Sequence, residues 1–142
     1  MLRLGVYKTS AVRLPMAQLQ LLFARVVKGE STKRDQGLVN LIFTDDKKMR
    51  ALNHTHRHKD KPTDVLSFNV DPPESRDAVF GEIYISTQTA ARQAADYGGT
   101  LAEEYLRLTC HGLLHLFGYD HQKPGETRVM KSRESRYLGS AH

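Results

Sequence analysis

The sequence holds a single cysteine, Cys110, in 142 residues. One thiol can neither close an intrachain disulfide nor supply the several thiolates of a structural zinc knuckle, so any metal must be held by histidine or carboxylate. No apolar run approaches the roughly 18 residues needed to span a bilayer, which argues against membrane insertion. Met1 to Ser10 carries Arg3 and Lys8 but lacks an apolar stretch of about 7 to 15 residues with a small-residue cleavage site. It does not read as a secretory signal, and a cytoplasmic location is expected. Internal repeats and linker-like low-complexity tracts are missing. So is any aromatic motif of the kind that stacks RNA bases, and base-specific reading is therefore not expected. Neither charge sign dominates strongly: 21 Lys and Arg stand against 16 Asp and Glu, a formal net charge of +5. That is a mild bias toward polyanions such as RNA.

The remainder is the composition of an ordinary globular chain, 39% apolar and 26% charged. Chains of about 150 residues bury about 68 to 70% of their unfolded surface, enough for a core without staples, and the length suits one domain. Pro15 stands where a first helical residue would be, and Leu19, Leu22, Phe23 and Val26 follow at helical spacing up to Gly29. Leu38 to Phe43 is a continuous apolar run suited to a central strand. Leu66, Phe68 and Val70 alternate with polar residues, Glu82 to Ile85 is rich in strand formers, and Leu2 to Tyr7 makes a fourth strand. Thr44, Asp45 and Asp46 cap a short helix reaching Asn53. The two prolines of Asp71 to Ser75 mark a loop. A helix over Thr87 to Tyr97 closes at Gly98 and Gly99, and Thr100 with Glu103 forms the capping box of another that runs toward Phe117. Pro124 opens a last helix that carries Arg128, Lys131, Arg133 and Arg136.

The helix after Thr100 carries the chemistry. Its last turns are apolar nearly all round, as in a buried helix, yet His111 and His115 lie on it four residues apart, so both imidazoles project from one face. Gly118 permits a left-handed turn that folds the chain back, and His121 then falls where it can supply a third nitrogen. Three histidines leave a coordination position open, the arrangement of a catalytic zinc site. Zinc is the default ion, although neutral imidazole also suits nickel, copper and iron. The spacing is that of metzincin-type proteases with one change: Gly112 stands where those enzymes carry a glutamate general base, which disfavours peptide hydrolysis.

Beyond the histidines, the sequence resembles the YbeY family of bacterial metal-dependent endoribonucleases, which act in ribosomal RNA maturation and ribosome quality control. The resemblance rests on Leu52-Asn53 leading into Arg57, on Lys59-Asp60-Lys61-Pro62-Thr63-Asp64-Val65-Leu66-Ser67-Phe68, and on Gly81-Glu82-Ile83. It continues through Glu104, Arg107 and His111 to His121, and the closing Met130, Glu134 and Leu138. It implies one α+β domain of zincin-like architecture, its four strands in a mixed sheet packed with helices. It further implies one zinc ion on His111, His115 and His121, Arg57 as the basic residue needed for cleavage, and single-stranded RNA, ribosomal RNA and the small ribosomal subunit as partners, with maturation of the small-subunit RNA 3′ end as the reaction. His54-Thr55-His56 departs from the family pattern.

The neighbouring residues receive narrower readings. A guanidinium at Arg57 offers a planar fork of donors to a phosphoryl group. His54, His56 and His58 alternate along a charged, exposed segment rather than forming a second metal site. Glu104 reads as an exposed ion pair with Arg107, Asp120 as an outer partner of the site, Asp64 and Ser67 as its floor, and Cys110 as a small buried apolar residue. The C-terminal cations form a solvated face unless they lie beside Arg57 and Lys59, where they would line a groove for a phosphate backbone. The alternatives to an endoribonuclease are a non-catalytic zinc-containing ribosome assembly factor and a metzincin-like metalloprotease.

Overall fold

A computed structural model describes residues 1–70, 78–120 and 123–139. Four strands form one sheet: β1 (Leu2–Lys8), β2 (Gly37–Thr44), β3 (Val65–Asn69) and β4 (Val79–Ser86), in the order β1-β2-β4-β3. β1 and β2 pair in parallel, as do β2 and β4, while β3 runs antiparallel to β4, so the sheet is mixed. The helices are α1 (Met16–Glu30), α2 (Asp46–Arg57), α3 (Thr87–Tyr97), α4 (Leu101–Leu116) and α5 (Pro124–Leu138). This is the α+β class with a four-stranded mixed sheet. The prolines expected to break the chain at Asp71 to Ser75 lie outside the described residues, as does His121.

The apolar run of β2 holds a central position. Val39, Leu41 and Phe43 are fully buried on one face, and Leu38, Asn40 and Ile42 are half-buried on the other. The register aligns Leu41 with Ile83 and Phe43 with Ile85, so the two inner strands present one continuous apolar face. On it lie α1, through Leu19, Leu22, Phe23 and Val26, and α4, whose Tyr105 meets Phe43 edge-on with ring centroids 5.0 Å apart. The contact burying α4 against this face gives it a rigid seat, and the histidine pair inherits that rigidity.

Caps match the expected boundaries at α3 and α4. Gly98 closes α3 in the left-handed conformation, and Thr100 and Glu103 make the reciprocal capping box at 2.8 and 3.0 Å. Two boundaries differ. Pro15 is the residue before the first helical turn of α1 rather than within it. α2 does not stop at Asn53 but continues for another turn to Arg57, because Asn53 is buried and its amide donates to the Lys61 carbonyl at 2.8 Å, which folds the following segment back along the helix. Arg50 grips Asp60 with two bonds, 2.8 and 3.0 Å, on the same segment. His54 and His56 are thus helical, and His58 is the left-handed residue that ends α2. None of the described helices is long and apolar enough to cross a membrane.

Candidate metal centre and active-site cleft

At the C-terminal half of α4, His111 and His115 stand over one another as their spacing requires. Their Nε2 atoms are 3.2 Å apart and the rings meet edge to face. Two lone-pair nitrogens so close repel unless a proton or a cation lies between them. Two imidazoles sharing one tetrahedral ion at zinc–nitrogen distances of about 2.0 to 2.1 Å place their nitrogens about 3.3 Å apart. The donor pair therefore fits a zinc-like ion. Among the described residues no group of three metal-binding side chains converges, and His54, His56 and His58 make no second cluster.

The end of α4 is a tight turn. Gly118 takes a φ of 97°, a conformation that strains any residue bearing a Cβ. Its N–H donates to the His115 carbonyl and that of Tyr119 to the Leu114 carbonyl, which closes the helix. Tyr119 is anchored by donating its hydroxyl to Glu30 of α1 at 2.8 Å, and Tyr137 of α5 donates to the same carboxylate. Burial, and then the Glu30 carboxylate beside it, push the Tyr137 hydroxyl up to about 12. The turn through Gly118 and Tyr119 is thus held by α1 and α5 together.

A cleft of about 600 Å³ opens over the histidine pair, lined also by Arg57, Asp64, Ser67 and Asp120. Arg57 reaches it from the last turn of α2. Among the described residues it makes no hydrogen bond or ion pair, whereas Arg50, Arg92, Arg107 and Arg133 are each matched to a carboxylate. A second cleft adjoins the first and shares Arg57 and Asp64 with it; Lys59 and Lys61 line its wall. Asp64 is turned partly inward, its Oδ1 accepting from the Val65 N–H at 2.8 Å. The sequence thus brings Arg57, Asp64, Ser67, His111, His115 and Asp120 to one cleft, but not the cations of α5: Arg133 pairs with Glu30 and lies over the Tyr119 ring.

Gly112 explains why a protease-type glutamate has no place here. A Cβ at this position would lie 2.7 Å from Ile83 Cγ2 and 3.0 Å from Ser67 Oγ, and the Gly112 carbonyl accepts from Ser67 at 3.0 Å. Position 112 faces the sheet rather than the cleft. Gly112→Ala is expected to destabilise the protein by about 1 to 3 kcal/mol through overpacking, read as a lowered urea midpoint with an unchanged slope.

Glu104 departs from its expected exposure. It is buried, takes both ends of Arg107 at 2.9 and 2.7 Å and accepts from Gln93 of α3. Burial by itself would raise the carboxyl, but the bonds from Arg107 and Gln93 and the Arg107 charge outweigh it and hold Glu104 below its ordinary value. A depressed folded-state value stabilises the fold above the unfolded value of about 4.5 and is lost as pH falls through the lower, folded one. Glu104→Gln should accordingly flatten the acid limb of a melting-temperature profile below pH 4.5 while lowering stability at neutrality.

Glu134 is the participant that residue spacing did not reveal. Its Oε1 stands 2.9 Å from His111 Nδ1, across the α4–α5 contact. Apart from its place in the family resemblance, the sequence signal was a carboxylate on the apolar stripe of α5, between Met130 and Tyr137.

Comparison with known proteins extends these observations. Residues 7–142 match the family model described as Endoribonuclease YbeY. A relative from Aquifex aeolicus named Endoribonuclease YbeY is 49% identical over 88 residues, 62% of this chain and 59% of that protein. Another of the same name from Pelotomaculum thermopropionicum is 41% identical over 110 residues, 74% of this chain and 72% of that one. The solution structure of TM1509 from Thermotoga maritima superposes with a TM-score of 0.64 at 26% identity, covering 96% of this chain and 87% of that one.

Proposed function

This chain belongs to the YbeY endoribonuclease family, and from that premise we propose that it is a zinc-dependent endoribonuclease acting on single-stranded RNA, in the 3′-end maturation of small-subunit ribosomal RNA in the cytoplasm. The observation that carries this reading is the 3.2 Å approach of His111 Nε2 and His115 Nε2 in one cleft with Arg57, which has no partner among the described residues. His111, His115 and His121 would hold the ion. Once bound, zinc supplies Lewis-acid chemistry and a nucleophile at neutral pH.

The chain's own groups do the rest. Arg57 offers the planar fork that matches a phosphoryl group, and its charge strengthens in effect as negative charge accumulates there. Lys59 and Lys61, in the adjoining cleft, extend positive charge along the path a backbone would follow. A cleft whose one Phe, Tyr or Trp among the described residues, Tyr119, is tied to Glu30 suits an unpaired strand of undefined sequence. Asp64 and Asp120 line the same cleft and offer acceptors that can orient a hydroxyl. Hydrolysis by water and attack by the ribose 2′-hydroxyl both use this arrangement, and a product ending in a cyclic phosphate distinguishes the second.

The test is cleavage of an end-labelled single-stranded RNA, set beside its duplex and beside casein, before and after chelation and zinc add-back. Cleavage of the single strand alone, lost on chelation and restored by zinc, is the expected result. Ribosome binding without cleavage under any divalent metal would replace the enzyme by an assembly factor.

A further inference from the structure

Glu134 occupies a place that helix packing would give to an apolar side chain. With Met130 and Tyr137 it forms the buried face of α5, and it is 9% exposed. A carboxylate there loses its hydration, a cost that only hydrogen bonds or opposite charge can offset. His111 Nδ1 stands 2.9 Å away. The Arg107 guanidinium, already held by Glu104, faces it from one turn earlier on α4, and Cys110 lies within its field.

We infer that Glu134 is a positioning residue for His111, which holds the ring hydrogen at Nδ1 and thereby aims the Nε2 lone pair at the point shared with His115. The inference rests on the metal-centre reading above. A neutral imidazole carries one ring hydrogen, so fixing it at Nδ1 leaves Nε2 bare. With Nε2 atoms 3.2 Å apart, hydrogens on both would occupy the same space, so at least one is bare, and the carboxylate at Nδ1 selects that of His111. The carboxylate also restrains ring rotation and raises the basicity of the bare nitrogen, an effect on metal sites that typically reaches 10 to 100-fold in affinity. Buried between two helices, Glu134 joins the position of α5 to the orientation of a side chain on α4.

The experiment measures zinc affinity by competition with a chromophoric chelator for the wild type, Glu134→Gln and Glu134→Ala, together with ¹⁵N NMR of His111 in the metal-free proteins where the imidazole is neutral. The alanine variant should bind zinc about 10 to 100-fold more weakly. The glutamine variant, whose amide oxygen still accepts from Nδ1, should lose less. The wild-type ring should carry its hydrogen at Nδ1, and the alanine variant should show a mixture of tautomers. Equal zinc affinity in all three proteins, or an Nε2-protonated ring in the wild type, overturns the inference. A wild type that binds no zinc but keeps the Nδ1 hydrogen sinks the metal centre and upholds the hold of Glu134 on the ring. Should the alanine variant fail to fold, the glutamine variant and the wild-type tautomer decide.

Discussion

Arg57→Ala is expected to reduce cleavage of single-stranded RNA by about 10² to 10³-fold, the loss found when one donor to a developing negative charge is removed. Zinc content and melting temperature should stay at wild-type values. The separation follows from how Arg57 is held. It is an exposed residue at the end of α2 with no partner among the described residues, so its truncation breaks no ion pair and opens no cavity. Surface changes of that kind usually shift stability by no more than about 0.5 kcal/mol. Arg57→Lys keeps the charge but loses the planar fork, and should recover part of the rate. Single-turnover cleavage beside a thermal melt makes the comparison, and an unchanged rate in the alanine variant would remove Arg57 from the chemistry.

His115→Ala is expected to take bound zinc from one ion per chain to none and cleavage to background. With one imidazole gone, His111 Nε2 loses the partner that stands 3.2 Å from it, and the remaining nitrogens cannot close a tetrahedral site. The fold should survive. His115 is half-buried at the rim of the cleft, alanine is the best helix former, and α4 is seated by Tyr105, Leu108, Leu113 and Leu114 rather than by the ion. Chelation of the wild type should therefore abolish cleavage while leaving the far-ultraviolet circular dichroism intact, unlike a zinc finger, which unfolds without its metal. Elemental analysis of the two proteins purified without chelators makes the measurement. Equal zinc in both would show that the ion, if any, sits elsewhere.

These two residues differ in how they could be read from sequence. The histidine pair is a local matter, because a period of 3.6 residues stacks positions 111 and 115 whatever surrounds them. The turn at Gly118 is equally local. Arg57 is marked mainly by a family resemblance, beside the general match of a guanidinium to a phosphoryl group, and its setting differs from the expected charged, exposed segment: it is the last turn of a helix. What extends α2 is a buried asparagine bound to the backbone of Lys61, eight residues away, a contact that no helical periodicity announces. Glu104 is buried for a similar reason. Its pairing with Arg107 follows from an i,i+3 spacing, but its burial comes from α3, which brings Gln93 against it.

The helices and strands as elements, the caps at Thr100 and Gly98, the central place of Leu38 to Phe43 and the stacking of two imidazoles were all decided along the chain, by hydrophobic period, capping chemistry and turn residues that act within a few positions. Tertiary packing alone decided that Arg57 overlooks those imidazoles, that Glu134 meets His111 from 23 residues away, and that Gly112 must stay bare where α4 presses on Ile83. The physical reason is range. Short-range preferences depend on backbone torsion and neighbouring side chains, whereas the cleft exists only where separate helices are brought together on one sheet by the burial of their apolar faces.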